Sequence, residues 1–422
     1  MGRHLAAPIA ALLTACVTRT VAQGGLYVRE IPTVHQSNAG QPIIQLPAPT
    51  GSHHVGRISF SAVDSTRAET MTPDPSDRRE LVLHVWYPTD DTAGPLASYI
   101  EVWPQDTIFQ RTYRFNIDAL PRVRAHTLAE AGLASAAPTY PVILFSHGLG
   151  TVSRLYTAFL ENLASHGYIV VGVDHPYFAS AFRLPDGRTV GKLSSPADRQ
   201  RDVITQAEDL SFVVTVLERL QNSLPATRLA GHLDLRSVGV FGHSRGGFAS
   251  PHACRIDRRF KACVNLDGYS MTPVVMDSGI VQPFMLVEES APWDPPPTDS
   301  ELVASHMTRA EAEAEAARAS AQFEATFSRM SGGAYLVISP GAVHMSFSDV
   351  ALISPQRFPA ARQDFRRTIE ITNAYLLAFF DKYLRGQAAP LLEARSSAYP
   401  EVRLTVYPPG GEKRVFGAAA TR

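Results

Sequence analysis

The sequence predicts an α/β fold, a mostly parallel sheet with helices on both faces. Three observations carry this. From residue 140 onward the apolar runs are continuous, as in "YPVILFSHG" and "YIVVGVDHP", which is what strands buried on both faces of a sheet require. The run "TVSRLYTAFLENLASHG" then has helical spacing, with Leu155, Phe159, Leu160 and Leu163 on one side. Strand and helix patterns keep alternating from there, which implies parallel strands covered on both sides.

The elements follow in order. "ISFSAVDS" (58–65) and "ELVLHVWYP" (80–88) alternate apolar and polar residues and read as early antiparallel strands. Asp74-Pro75-Ser76-Asp77 between them is turn chemistry. "LPDGRTV" carries an Asp-Gly pair and reads as a small hairpin. "SSPADRQRDVITQAEDLSFVVTVLERLQ" reads as a helix capped by Ser194 or Ser195, with Pro196 near its first turn. "RSVGVFGHS", "KACVNLDG", "QPFMLVEES" and "GAYLVISPGAVH" are strands. "IEITNAYLLAFFDKYLRG" closes as a helix with Gly386 near its end. Residues 301–330 are rich in Ala and Glu and predict a helix. Its stripe of Ala312, Ala316, Ala319, Phe323, Phe327 and Met330 is expected to pack on the sheet or cap the site. A membrane-surface role suits it less, because the polar face carries much Glu and little Lys.

The chain has 422 residues, 45% hydrophobic and 19% charged, with a net charge of −1. That is ordinary globular composition, and it leaves no electrostatic footprint for nucleic acid. No apolar run after the N-terminus is long enough to span a bilayer. Residues 1–22 have a basic start and a short apolar stretch, and read as an export signal; the bland alternative is a frayed helix. Cleavage after Ala22 fits the small residues there. Leu13-Thr14-Ala15-Cys16 also looks like a lipoprotein box, in which Cys16 would carry the lipid anchor. Residues 23–55, rich in Gly, Pro, Gln and Ser, read as a linker or irregular arm. The predicted domain runs from 56 to 408, with a flexible tail at 409–422. Cys254 and Cys263 either form one disulfide, as export would permit, or are two small buried hydrophobes.

The chemistry centres on "VGVFGHSRGG" (238–247). Gly242-x-Ser244-x-Gly246 fits a nucleophile elbow, in which a strand, a sharp turn and a helix hold a serine out at the strand's end. Pro251 sits awkwardly in the helix that should follow. In this class of site the order is serine, acid, histidine. Only His306 and His344 remain after residue 267. His306 belongs to the Ala/Glu segment and reads as solvated. His344 follows the strand "YLVIS" at the sheet edge where ligands bind, so it is the base. Asp267 and Asp294 both follow strands, and order alone does not separate them. Backbone N–H groups must meet the oxyanion. Arg245, after the nucleophile, supplies one. "FSHGLG" (145–150) suits the second, assigned to Leu149; its bland reading is an ordinary βα turn. His53-His54 lacks convergent partners for a metal.

"LFSHGLGTVSRLYTAFLENLASHGYIVVGVDH", "VGVFGHSRGG", "ACVNLDGY" and "PGAVHMSFSD" together resemble the plasma-type (group VII) platelet-activating factor acetylhydrolases and their microbial relatives, within the α/β-hydrolase superfamily. The likeness covers roughly 80–385 in order. It implies an α/β-hydrolase fold, Asp267 rather than Asp294 as the acid, Leu149 and Arg245 as oxyanion donors, and no metal or other cofactor. Two departures bear on substrate choice. Arg245 stands where mammalian members carry an aromatic, and its guanidinium is expected to bias the cleft toward anionic groups. Gly268-Tyr269 replaces a bulky aromatic after the acid. The expected function is an exported, metal-independent serine esterase acting on short or oxidised acyl chains of phospholipids, in peripheral contact with lipid surfaces. Its rivals are a general carboxylesterase, dienelactone-hydrolase-like or polyester-degrading, and a non-catalytic binding protein on the same fold.

Overall fold

In the computed structural model of the chain, the residues described are 20–23, 26–36, 44–103, 105–112, 117–193, 199–223, 228–268, 271–290, 298–299, 302 and 306–417. Twelve strands of one sheet carry labels here: β1 (Thr20–Gln23), β2 (Leu26–Ile31), β3 (His54–Ala68), β4 (Arg78–Thr89), β5 (Tyr140–Ser146), β6 (Ile169–Asp174), β7 (Leu233–His243), β8 (Phe260–Leu266), β9 (Phe284–Glu288), β10 (Ala334–Ile338), β11 (Arg403–Tyr407) and β12 (Arg414–Phe416). Their spatial order is β1-β2-β3-β4-β6-β5-β7-β8-β9-β10-β11-β12, and the short strand Thr127–Ala129 pairs with β3. The stretch from β6 to β10 in that order is parallel; both flanks are antiparallel. The sheet is therefore mixed, with its parallel part at the centre.

Alternation along the central strands builds two cores. Ile143 and Phe145 of β5 face one side, with Phe159 and Leu160 of α1 (Thr157–Ser165) and Leu376 and Phe379 of a later helix, Phe365–Arg385. Val142 and Leu144 face the other, with Leu210 and Leu217 of α2 (Arg199–Ser223) and Ala249 and Ala253 of α3 (Arg245–Ile256). α3 runs through Pro251. The caps proposed at Ser194 or Ser195 lie outside the described residues. The Asp-Gly hairpin forms, with Ala181–Arg183 against Thr189–Gly191.

Three readings of the sequence need correction. The segment taken as a linker or irregular arm contributes β2, paired with β3, and Ile44–Gln45, paired with Val123–Arg124. Within "LYVREI" Val28 turns inward and Tyr27 outward, so a strand alternation was present under a loop-like composition. β1 runs across the cleavage point proposed after Ala22, whereas Cys16 lies outside the described residues. The tail is not structureless, since β12 pairs with β11. The Ala/Glu helix is shorter than 301–330. It spans Arg309–Ser328, started by a capping box between Thr308 and Glu311. Its last turns seat Phe327 between Phe284 and Tyr407, at the start of β9, so this end packs on the sheet away from the site's edge.

Candidate active site

The parallel strands deliver the residues singled out above to one edge. β5 runs into the loop 147–151, β7 into Ser244, β8 into Asp267, and β10 into the turn before His344. Ser244 has φ 55° and ψ −119°, a conformation that costs an L residue free energy. The neighbouring glycines make it accessible. A Cβ on Gly242 would lie 2.3 Å from the carbonyl oxygen of Gly246, and one on Gly246 would lie 2.1 Å from that of Ser146. The Ser244 amide donates to the Leu266 carbonyl at 2.9 Å, tying the turn to the end of β8.

His344 joins the other two side chains. Its Nε2 is 3.0 Å from Ser244 Oγ, and its Nδ1 is 2.5 Å from Asp267 Oδ2. Nδ1–H donates to the carboxylate, which leaves Nε2 to accept the hydroxyl proton. Asp267 is fully buried, at φ 49°. Burial alone would raise its pKa, but the hydrogen bond and charge of His344 outweigh it and hold the carboxyl below its ordinary value. Asp267 Oδ1 also accepts from the Glu289 amide at 3.2 Å. The next turn is locked by Asn265, whose side chain bonds both N–H and C=O of Gly268. A Cβ on Gly268 would meet Asn265 Oδ1 at 2.4 Å, which accounts for glycine after the acid. Asp294 lies outside the described residues. His306 sits in the turn ahead of the Ala/Glu helix and makes none of the site's hydrogen bonds described here.

The loop after β5 presses against the serine, since a Cβ on Gly148 would be 3.2 Å from Ser244 Cβ. Its amides are mostly committed. Gly148 N–H donates to Tyr156 Oη, Gly150 N–H to the Phe178 carbonyl, and Thr151 N–H to the Gly148 carbonyl. Leu149 N–H has no acceptor among the described residues. Arg245 opens α3, so its amide belongs to that helix's first turn, where N–H groups have no intrahelical acceptor.

The Arg245 guanidinium corrects the expectation placed on it. Its Nη1 lies 2.5 Å from Asp202 Oδ2 of α2, and the group lies over the Phe178 ring. Only 13% of the side chain is exposed. Its charge is spent on joining α2 to the elbow, not offered to the cleft.

Supporting residues come from far along the chain. His243, buried beside the serine, accepts from Tyr156 Oη at 2.9 Å and donates from Nε2 to the His344 carbonyl at 3.0 Å. Burial pushes its pKa down to about 3, so it stays neutral. His243, Asp267 and His344 bring ligand-type atoms within 4.8 Å of one another. Yet both His243 nitrogens are engaged and the other two residues bond each other, so the set is arranged as a hydrogen-bond chain and not for a cation. Asp349, five residues past His344, accepts from Ala158 N–H of α1 and from Tyr99 Oη, and its own amide donates to the Leu155 carbonyl.

A second serine–histidine–aspartate chain lies beneath. Ser146 Oγ is 3.0 Å from His175 Nε2, and His175 Nδ1 is 2.8 Å from Asp209 Oδ2. All three are 0% exposed, and Arg79 also bonds Asp209 through Nε and Nη2. No substrate reaches it; burial, not connectivity, separates the two chains. Its role is support. His175 N–H donates to His147 Nε2, and His147 Nδ1–H donates to the Gly148 carbonyl in the loop.

A serine at a strained strand–helix turn, with acid and histidine on later strand ends in that order, defines an α/β-hydrolase. The model of the family described as platelet-activating factor acetylhydrolase, isoform II, matches residues 39–182 and 199–389. The chain belongs to that family. The chlorophyllase family model matches a shorter stretch, 129–267. The platelet-activating factor acetylhydrolase of Cavia porcellus is 32% identical over 174 residues, 35% of this chain and 39% of that protein. The Gallus gallus protein of the same name is 23% identical over 389 residues, 81% and 84% of the two chains. The match thus spans about two-fifths of the first of these relatives and most of the second. The structure of a ferulic acid esterase from Streptomyces cinnamoneus superposes with a TM-score of 0.69 at 30% identity, covering 86% of this chain and 99% of that one.

Proposed function

We propose that this protein is a serine esterase and that Ser244, His344 and Asp267 are its catalytic residues. The observation that carries this is the unbroken chain from Ser244 Oγ through His344 to buried Asp267, at a turn that only glycine neighbours permit. Ser244 Oγ attacks the ester carbonyl as His344 Nε2 takes its proton. Asp267 holds the Nδ1–H tautomer and stabilises the imidazolium that forms. The amides of Leu149 and Arg245 receive the oxyanion. His344 returns the proton to the leaving alcohol, and water cleaves the acyl-enzyme by the same route. The fit among these residues needs no cofactor.

The substrate class supported by the family is phospholipids with short or oxidised acyl chains at sn-2. A specific observation favours a second reading, esterase action on other carboxylic esters: the ferulic acid esterase matches nearly its whole length to this chain. The test compares a 2-acetyl phospholipid with simple alkyl and aryl esters, using wild type, Ser244→Ala and Asp267→Asn. Ser244→Ala is expected to lose ~10⁴-fold or more in kcat, and Asp267→Asn about 10³- to 10⁴-fold. Equal turnover by wild type and Ser244→Ala overturns the reading. Turnover of simple esters with none of the phospholipid selects the second one. Export, with or without a lipid on Cys16, belongs to the same proposal, and a disulfide at Cys254–Cys263 supports it. Mass measurement of the mature N-terminus decides between cleavage after Ala22, acylation at Cys16 and no processing.

A further inference from the structure

The reaction above uses one carboxylate, yet three gather behind His344. Asp267 follows β8, Glu288 ends β9, and Glu289 comes next. The parallel register sets Leu266 beside Val287, so the following residues, Asp267 and Glu288, come side by side at the sheet edge. The Asp267 amide donates to the Val287 carbonyl at 2.7 Å and fixes that adjacency. Glu288 is 7% exposed, so its carboxyl sits in the interior on the strand end next to that of Asp267. No cationic side chain among the described residues forms an ion pair with Glu288. A hydrogen bond between two carboxyls needs a proton on one of them. Asp267 faces His344, which favours its charged form, whereas Glu288 faces Asp267 and favours the neutral one.

We propose that Glu288 is a positioning residue for this reaction: it holds a proton at neutral pH, donates it in a hydrogen bond to Asp267, and so keeps the Asp267 carboxylate turned to His344. This rests on the catalytic reading of Ser244, His344 and Asp267. The proton is shared and never transferred to substrate. Burial first, and the Asp267 charge second, push the Glu288 carboxyl well above its ordinary value. The titratable groups around it are Asp267 just after β8, Glu289 just after β9, and His344 and His243 beyond Asp267. Glu289 is half-buried and is pushed up to about 7 by burial and by Asp267. It is therefore Glu289 that gains charge through neutral pH.

Glu288→Gln keeps an N–H donor in place; Glu288→Leu removes it. In Glu288→Gln, kcat/KM at neutral pH is expected within about threefold of wild type, without the alkaline fall that ionising Glu288 imposes on wild type. In Glu288→Leu, kcat is expected to drop about tenfold or more with KM little changed, as for loss of a donor that acts in the transition state. The direct readout is infrared. At about pH 8.5, where Glu289 is ionised, wild type and Ser244→Ala should both show a protonated carboxyl band that Glu288→Gln lacks. No such band, or Glu288→Gln as impaired as Glu288→Leu, overturns the proposal. If Glu288→Leu does not fold, the band and the Glu288→Gln profile still decide. An active Ser244→Ala that shows the band would sink the catalytic reading and leave the protonation of Glu288 standing.

Discussion

Opening the bond between Cys254 and Cys263 should weaken the fold by an amount the structure lets one work out. Both cysteines are fully buried, nine positions apart. The bond joins α3, which starts at the elbow, to β8, which leads to Asp267. Closing a loop of ~10 residues removes about 9 cal/mol/K from the unfolded chain's entropy, or about 2.7 kcal/mol at 25 °C. Unfolding entropy of about 2.1 cal/mol/K per residue over ~400 residues gives about 0.8 kcal/mol/K. The quotient is a fall in Tm of about 3 °C. The assay is thermal unfolding followed by circular dichroism and by surviving ester hydrolysis, with and without reductant. Wild type should lose that margin on reduction. The double variant Cys254→Ala, Cys263→Ala should start lower and ignore the reductant. Free thiols at both Cys254 and Cys263 in unreduced, unfolded wild type would refute the reasoning, as would a double variant that melts with oxidised wild type.

Three further outcomes are expected. Gly246→Ala drives a Cβ to 2.1 Å from the Ser146 carbonyl, so the variant should lose ester hydrolysis by ~10²-fold or more and melt earlier than wild type; wild-type activity would mean that the elbow can relax. Arg245→Met should leave the ratio of anionic to neutral ester turnover within about twofold of wild type, because Asp202 holds the guanidinium; a larger shift would show that its charge reaches substrate. Glu289 has a folded pKa of about 7, above its ordinary 4.5. Its contribution to stability is thus full below the ordinary value and is lost as pH rises through about 7. Urea titrations of Glu289→Gln and wild type should show wild type losing ground between about pH 5 and pH 8, and a constant gap would contradict the assignment.

Much of the site could be read along the chain because its signals are local. The glycines at 242 and 246 mark the turn themselves, and the buried strands before residues 147, 244, 267 and 344 put those positions on one edge. Choosing Asp267 over Asp294 took the family resemblance, since both follow strands; the hydrogen bond to His344 comes from the fold. Arg245 was misread because its partner, Asp202, lies 43 positions upstream on another helix. Asp209 and Arg79 are 130 positions apart, and no periodicity connects them. Glu288 was visible only as part of an acidic pair after a strand; its place beside Asp267 follows from parallel register, which sequence spacing does not encode. β2 was hidden by the Gly, Pro and Gln around it, although Tyr27 and Val28 within it turn to opposite sides.

Asp349 has a consequence for how the site breathes. It fastens the segment carrying His344 to the start of α1, which is joined to the loop that holds Leu149 by the 3-10 turn Ser153–Tyr156. His243 and Tyr156 make a second fastening between the same two segments. Neither segment can then swing open while the other stays shut. Fluctuations that spoil the oxyanion site and those that withdraw the base become one cooperative event, governed by one opening free energy. Hydrogen exchange at Leu155 to Ala158 and at Val343 to Asp349 should accordingly rise and fall together, and the fraction of molecules ready to react is set by a single equilibrium in place of the product of two.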